Sequence, residues 1–111
     1  MNAIVRMDAA ADLDAAAGGQ LADALTRAFV EAKEACARGD NVLVIARTDE
    51  TDALRGALGA LVRSLARENA AKGVRVNGLI VPVDADVDAF AAFLATPAAT
   101  MVTGAILESP R

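Results

Sequence analysis

Two features of the sequence carry residue types that could do chemistry: an acidic run and a single thiol. Asp84, Asp86 and Asp88 alternate along a short stretch, and closely spaced carboxylates suit Ca²⁺. The run lacks the glycine and the terminal glutamate of a calcium-binding loop, so we interpret it as a solvated turn. Cys36 falls on an apolar stripe, and the chain has no histidine that could activate the thiol or complete a soft-ligand metal site. We therefore expect Cys36 to be a small core residue, and we expect no metal.

The composition favours one domain with a core of small aliphatic side chains. The chain has 111 residues, of which 55% are hydrophobic and only 3% are aromatic. Alanine, leucine and valine bury less apolar area per residue than phenylalanine or tryptophan, so each packing contact is small. We predict a single domain over residues 1–111 whose stability is supplemented by self-association.

The charge and cysteine content exclude several classes of protein. The net charge is −4 and the basic residues are scattered, whereas nucleic-acid-binding domains concentrate Lys and Arg on one surface. A single cysteine cannot form an intramolecular disulfide, which fits a reducing compartment. The sequence has neither an apolar run of about 18 residues, as a membrane span needs, nor a signal-peptide hydrophobic region. We expect a cytoplasmic protein that binds neither nucleic acid nor membranes.

The central part of the chain alternates amphipathic helices with buried strands. Residues 20 or 21 to 38 carry an apolar stripe, and Gly39 follows them as a C-terminal glycine. Residues 41–46 form a continuous aliphatic run, which is typical of a parallel strand covered on both faces. The same order then repeats, with a helix over residues 51–71, a turn at Lys72 and Gly73, and a buried strand over residues 74–81.

The two ends of the chain are less regular. We interpret residues 2–7 as a first strand, with an ordered N-terminal arm as the alternative, and residues 8–20 as a loop with a short helical turn. Residues 87–94 form a short helix with Phe90, Phe93 and Leu94 inward, and residues 98–109 form a turn and a last strand. The alternation predicts an α/β fold, with helices on both faces of a mostly parallel sheet of about three or four strands joined by right-handed crossovers.

Several stretches of the chain resemble the short-chain dehydrogenase/reductases. Residues 57–68, ALGALVRSLARE, and residues 73–77, GVRVN, are similar to that family's active-site helix and the start of its next strand. FLA at residues 93–95 and MVTGAIL at residues 101–107 are similar to the end of the family's chain, and weaker matches extend the resemblance over residues 20–109. The resemblance implies the C-terminal half of a Rossmann-type fold, a truncated three-layer sandwich.

The family's functional residues have no counterparts at the matching positions. Counting back along the helix puts Thr51 at the position of the catalytic tyrosine and Arg55 at that of the lysine. A threonine hydroxyl is too weakly acidic to replace a phenol, and an arginine does not titrate. The glycine-rich dinucleotide turn is missing, the loop that would carry the catalytic serine is reduced to residues 47–50, and Val83 follows Pro82 where the family has glycine. We expect no cofactor and no catalytic residues.

In the resembled family, the two helices that match residues 21–38 and 51–71 pack against the same pair from a second subunit. Such an interface needs small residues for close approach and charges that pair across it. The chain has both, although alanine and glycine are frequent throughout it, which is the alternative interpretation. The residues predicted to lie in the interface are Leu25, Phe29, Arg55, Gly56, Gly59, Ala60, Arg63 and Arg67.

Two functions are consistent with these observations. The first is a non-catalytic subunit that forms a homodimer or higher oligomer and also pairs with a full-length short-chain dehydrogenase/reductase, since some members of the resembled family are two-subunit enzymes with one inactive subunit. The second is a homo-oligomeric module that binds a small ligand in a cleft at the carboxyl ends of the strands, near Arg47, Thr48, Pro82 and Val83. An enzymatic role would require a partner to contribute the catalytic groups.

Overall fold

The computed structural model describes residues 2–7, 19–47, 52–82, 86–96 and 99–108. Within them, helices and strands alternate along the chain. No helix in these ranges is both long enough and apolar enough to cross a membrane. The elements are β1 (Asn2–Met7), α1 (Gly19–Ala37), β2 (Asn41–Arg47), α2 (Asp52–Asn69) with a 3₁₀ turn (Ala70–Lys72), β3 (Val76–Val81), α3 (Asp88–Leu94) and β4 (Ile106–Glu108).

Both long helices lead directly into buried strands through glycine turns. Gly39 has a φ of 84°, and the amides of Gly39 and Asp40 donate to the carbonyls of Cys36 and Ala35 at 2.9 and 3.0 Å. This arrangement satisfies the last carbonyls of α1 and reverses the chain within a few residues. Gly73, with a φ of 73°, ends the 3₁₀ turn after α2 in the same way. The predicted glycine stops are confirmed at both positions.

The four strands form one sheet in the order β1-β2-β3-β4, and every neighbouring pair is parallel. All residues of β3, and the five residues of β2 from Val42 to Ala46, are buried, as expected of strands with a helical layer on each side. β1 pairs only with β2 and forms one edge of the sheet among the described strands. The predicted α/β class and the parallel sheet are confirmed, as is the first strand over residues 2–7.

The three helices cover the two faces of the sheet unequally. Val42 and Val44 of β2 point to the face covered by α1 and α2, which contains the larger part of the core. Leu43 and Ile45 point to the other face and pack with Leu94 and the rest of the inner side of α3. The alternation of side chains along β2 therefore divides the core into two layers.

The connection from β3 to β4 has the opposite hand to the two connections before it. The chain crosses the sheet in one direction from β1 to β4 through parallel strands. α1 and α2 lie over one face, whereas α3 lies over the other. A step in the same direction over the opposite face reverses the hand of the crossover. The prediction of right-handed crossovers throughout is therefore wrong, and the reversal places α3 where it covers the second apolar face of the sheet.

α3 buries only one stripe of its short length. Phe90 and Leu94 pack on the sheet as predicted, together with Ala91. Phe93 is 50% exposed, so the prediction that it points inward is wrong. Phe90, Ala91 and Leu94 define the buried stripe through their spacings of three and four residues, and Phe93 lies at the side of that stripe away from Ala91. Of the loop predicted over residues 8–20, residues 8–18 lie outside the described residues, and Gly19 and Gln20 belong to the first turn of α1, so the prediction is wrong at those two positions.

A buried asparagine fixes the chain that leads into β4. Asn77 on β3 is only 5% exposed, and its side chain donates to the carbonyl of Val102 at 2.9 Å and accepts from the amide of Ala105 at 3.1 Å. The amide of Gly104 donates to the carbonyl of Val76 at 2.7 Å. Both polar atoms of this side chain in an apolar strand are thus hydrogen-bonded, and they position the residues before β4.

Candidate functional site

The outer side of α2 presents small and basic residues in one stripe. Gly56, Ala60, Arg63 and Arg67 are all exposed, and their spacing of three or four residues places them on one side of the helix. A Cβ atom added at Gly56 would have no heavy atom within 4 Å. The helix backbone is therefore open to solvent at Gly56, and the two arginines follow about two and three turns later on the same side of the helix. We call these four residues the α2 stripe.

Gly59 has different surroundings from Gly56. The residue is buried, and a Cβ atom at this position would lie 3.0 Å from Nη1 of Arg63, one turn further along α2. The glycine therefore makes room for the Arg63 guanidinium, which folds back over the helix. A second helix could reach the backbone at Gly59 only if Arg63 moved, whereas Gly56 is open already. The interface role of Gly59 stays a prediction.

On α1, the predicted interface residues are partly buried against the core. Leu25 and Phe29 pack on the cluster beneath the helix, and the ammonium of Lys33 lies 5.7 Å from the centroid of the Phe29 ring. This distance suits a cation–π contact. Val30, which sequence reasoning missed, is 47% exposed beside them. An aliphatic residue that falls off the buried stripe of an amphipathic helix is the signal that could have identified it.

The position that resembles the catalytic lysine is held in an ion pair. Nε and Nη2 of Arg55 on α2 each lie 2.9 Å from a carboxylate oxygen of Glu108 on β4, which is a bidentate arrangement. The hydrogen bond from Arg55 holds the pKa of Glu108 below its usual value. The side chains remain 48% and 38% exposed, so solvent screens the pair. Thr51, the counterpart of the catalytic tyrosine, lies outside the described residues.

The cleft predicted at the carboxyl ends of the strands is only partly described. Arg47 and Pro82 are half-buried at that edge, and Thr48 and Val83 lie outside the described residues, so a ligand site there stays a prediction. At the opposite edge, beneath the end of α3, the amino ends of β1, β2 and β3 line a cavity of about 90 Å³.

The acidic run and the thiol of Cys36 both lie in surroundings that are typical of structural residues. The carboxylate of Asp86 accepts a hydrogen bond from the backbone amide of Asp88 at 2.9 Å, as in a turn that leads into α3, while Asp84 lies outside the described residues. In the described part of the chain, no three His, Cys, Asp or Glu side chains are grouped as metal ligands would be. Cys36 is 1% exposed in the core, as predicted, and burial raises the pKa of its thiol.

Comparison with known proteins agrees with this architecture. A family model described as short chain dehydrogenase-like protein matches residues 3–109. The chain belongs to this family. A short-chain dehydrogenase/reductase from Serratia marcescens BCRC 10948 superimposes on it with a TM-score of 0.60 and 22% sequence identity, covering 78% of this chain and 50% of the other.

A second solved structure gives the same result for the fold of this short chain dehydrogenase-like protein. A Serratia marcescens short-chain dehydrogenase/reductase with two Phe-to-Leu substitutions has a TM-score of 0.61 and 24% identity, covering 89% of this chain and 55% of the other. The chain thus spans about half the length of these dehydrogenases. A search of curated proteins found no match.

Proposed function

We propose that this chain is a non-catalytic member of its family that assembles through α1 and α2, both with a second copy of itself and with a full-length short-chain dehydrogenase/reductase. The observation that carries the proposal is the open backbone at Gly56 within the α2 stripe. A glycine inside an exposed helix destabilises it by about 1 kcal/mol relative to alanine. Close approach of a second helix would compensate for that loss.

Charge on the two helices supports the same surface. Arg63 and Arg67 are exposed on α2, and Asp23, Glu31 and Glu34 are exposed on α1. In a two-fold arrangement, the same patch meets itself in reversed orientation, so acidic positions on one helix can meet basic positions on another. The exposed Val30 adds apolar area between these charges. Protein interfaces commonly have such an apolar centre surrounded by a polar rim.

The surroundings of Arg55 support the absence of catalysis. A lysine at this position could approach a reacting group and shift its pKa, whereas a guanidinium stays charged. The Nε and Nη2 groups of this guanidinium both donate to Glu108 and so connect α2 to β4. The residue therefore stabilises the fold at the place where the resemblance would put proton chemistry.

Assembly is tested with a matched pair of alanine substitutions. Ala60 lies on the α2 stripe and Ala92 lies on the outer side of α3, and both are exposed helical alanines. We expect sedimentation velocity to show a dimer or larger species for the wild type and Ala92→Glu, and a shift towards monomer for Ala60→Glu. A wild-type chain that stays monomeric at every concentration tested contradicts self-assembly.

The partner and the missing activity need separate measurements. Affinity capture from the cells that make the protein should yield a full-length short-chain dehydrogenase/reductase in stoichiometric amount with Ala92→Glu and in reduced amount with Ala60→Glu. Capture that is equal for both variants, or that never yields such a dehydrogenase, contradicts this pairing. The isolated chain should give no turnover with nicotinamide cofactors, and sustained turnover would overturn the non-catalytic assignment.

A further inference from the structure

The cavity at the amino ends of β1, β2 and β3 has a polar row and, further into the sheet, a mostly apolar row in which Asn77 is the polar member. Strand register aligns Asn2 with Asn41, and the backbone amide of Arg75 donates to the Asn41 side-chain oxygen at 2.9 Å. Two residue pairs further into the sheet, Ile4 aligns with Leu43, and Leu43 aligns with Asn77, whose side chain is already hydrogen-bonded to Val102 and Ala105. The residues of both rows line the cavity, and Ala91 and Leu94 of α3 cover one side of it. The polar row thus consists of Asn2 and Asn41 at the starts of β1 and β2 and of Arg75 immediately before β3.

The polar row offers hydrogen-bond donors and no acidic group. Nη1 of Arg75 donates to the carbonyl of Ala99 at 2.8 Å, which anchors the guanidinium while its other N–H groups have no partner among the described residues. Because the Asn41 oxygen already accepts from the backbone, its NH₂ group is the part left for a ligand. No aspartate or glutamate lines the cavity. This set of donors matches a carboxylate, which only accepts hydrogen bonds.

The size and the walls of the cavity define the rest of the ligand. One water needs about 10–15 Å³ of such a cavity, so about 90 Å³ holds roughly six non-hydrogen atoms. Beyond the polar row, the apolar residues that line the cavity include Ile4, Leu43, Ala91 and Leu94, and Asn77 lies among them with its side chain bonded to the backbone. A short aliphatic tail fits these walls, because apolar surface leaves water on entering them.

We propose that this cavity binds a small aliphatic monocarboxylate, with its carboxylate at Arg75 and Asn41 and its tail between β1, β2 and α3. The site lies across the sheet from the α2 stripe and at the opposite edge from the predicted cleft. It is independent of the assembly proposed above. Since the ligand has few atoms with which to make contacts, we expect a dissociation constant on the order of millimolar, weaker than the ceiling for small ligands.

The test is a titration of the full chain followed by backbone amide NMR signals. Butanoate has the required size and charge, and butanamide has the same shape without the charge. Butanoate should give saturable shifts at Ile4, Leu43 and Ala91 with a millimolar dissociation constant. Butanamide at equal ionic strength should bind at least about tenfold more weakly, because it lacks the charge-assisted bond to Arg75. Shifts that do not saturate, shifts that map elsewhere, or equal binding of the amide would each overturn the proposal.

Two matched variants test the position of the ligand. Ala91 lines the cavity, whereas Ala92 is exposed on the same helix and does not line it. Ala91→Leu should abolish the butanoate shifts by filling the cavity, and Ala92→Leu should leave them unchanged. Arg75→Met should weaken butanoate at least about tenfold and leave butanamide unaffected. Butanoate binding that survives Ala91→Leu would place the ligand outside this cavity. Sedimentation velocity of Ala60→Glu measures self-assembly separately, so failure of the cavity proposal can be distinguished from failure of the assembly proposal.

Discussion

The ion pair between Arg55 and Glu108 makes stability depend on pH in a defined direction. The pKa of Glu108 is lowered in the folded protein by the hydrogen bond from Arg55. The pair's contribution is therefore present above the unfolded-state pKa of a glutamate, about 4.3, and is lost as the pH falls through the lower folded-state pKa. We expect Glu108→Gln to be less stable than wild type at neutral pH, with the difference vanishing in acid.

Urea unfolding at a series of pH values measures this difference. The Arg55→Met background provides the control, because removal of the guanidinium removes the cause of the lowered pKa of Glu108. In that background Glu108→Gln should no longer produce the pH-dependent difference. A Glu108→Gln difference that is unchanged in Arg55→Met would show that another group determines it.

Side chains of β4 and α2 pack closely on Gly78 of β3, so we expect a cost for even one added methyl group. A Cβ atom at Gly78 would lie 2.7 Å from Cδ1 of Ile106, 3.2 Å from Val62 and 3.3 Å from Leu58. Gly78→Ala should lower the free energy of unfolding by about 1–3 kcal/mol, as overpacking does. The loss should be smaller in an Ile106→Val background, which lacks the nearest atom. Equal losses in both backgrounds would show that the clash with Ile106 is not the cause.

At the scale of the element, α2 carries two glycines with opposite surroundings. Gly56→Ala should raise the free energy of unfolding of the monomer by up to about 1 kcal/mol, because alanine favours the helix and its Cβ has open space. The same change should weaken self-association, because it separates the two helix backbones. Urea unfolding of dilute protein and sedimentation at high concentration measure these effects. A variant that gains stability and associates as well as wild type would show that Gly56 does not lie at a close helix contact.

The elements themselves were predictable because hydrophobic period and turn glycines are local properties. The aliphatic run of β2, the apolar stripe of α1 and the stop at Gly39 each follow from a few neighbouring residues. What could not be predicted depends on distant parts of the chain. Arg55 and Glu108 are 53 residues apart, and only the parallel pairing of β3 with β4 brings them together. The periodicity of residues 88–94 likewise does not say which face of the sheet α3 covers.

The candidate sites also divide into one that local sequence predicts and one that depends on distant parts of the chain. The α2 stripe could be predicted from helical spacing, since its members lie within a single element. The cavity could not, because it combines a few residues from the amino end of each of three strands with the end of α3. Its polar row arises from strand register, in which Asn2 and Asn41 become neighbours although nothing in their local sequence relates them. Register is fixed by the packing of the whole sheet.

At the scale of the whole molecule, the sheet separates the two proposed surfaces. α1 and α2 with the α2 stripe lie on one face, whereas the cavity and α3 lie on the other. Side chains of β2 alternate between the two layers, so a change at the outer surface of one layer leaves the buried side chains of the other in place. Substitutions at distant sites without shared partners are additive.

We therefore expect two variants to separate the two properties completely. Ala60→Glu should lose self-association and keep butanoate binding, whereas Ala91→Leu should lose butanoate binding and keep self-association. The double variant should combine both losses, with each of the same size as in the single variant. Sedimentation and NMR titration on the same samples measure both properties. If Ala60→Glu weakened butanoate binding severalfold, the two faces would be coupled, and association of α1 and α2 would then alter the sheet that forms the floor of the cavity.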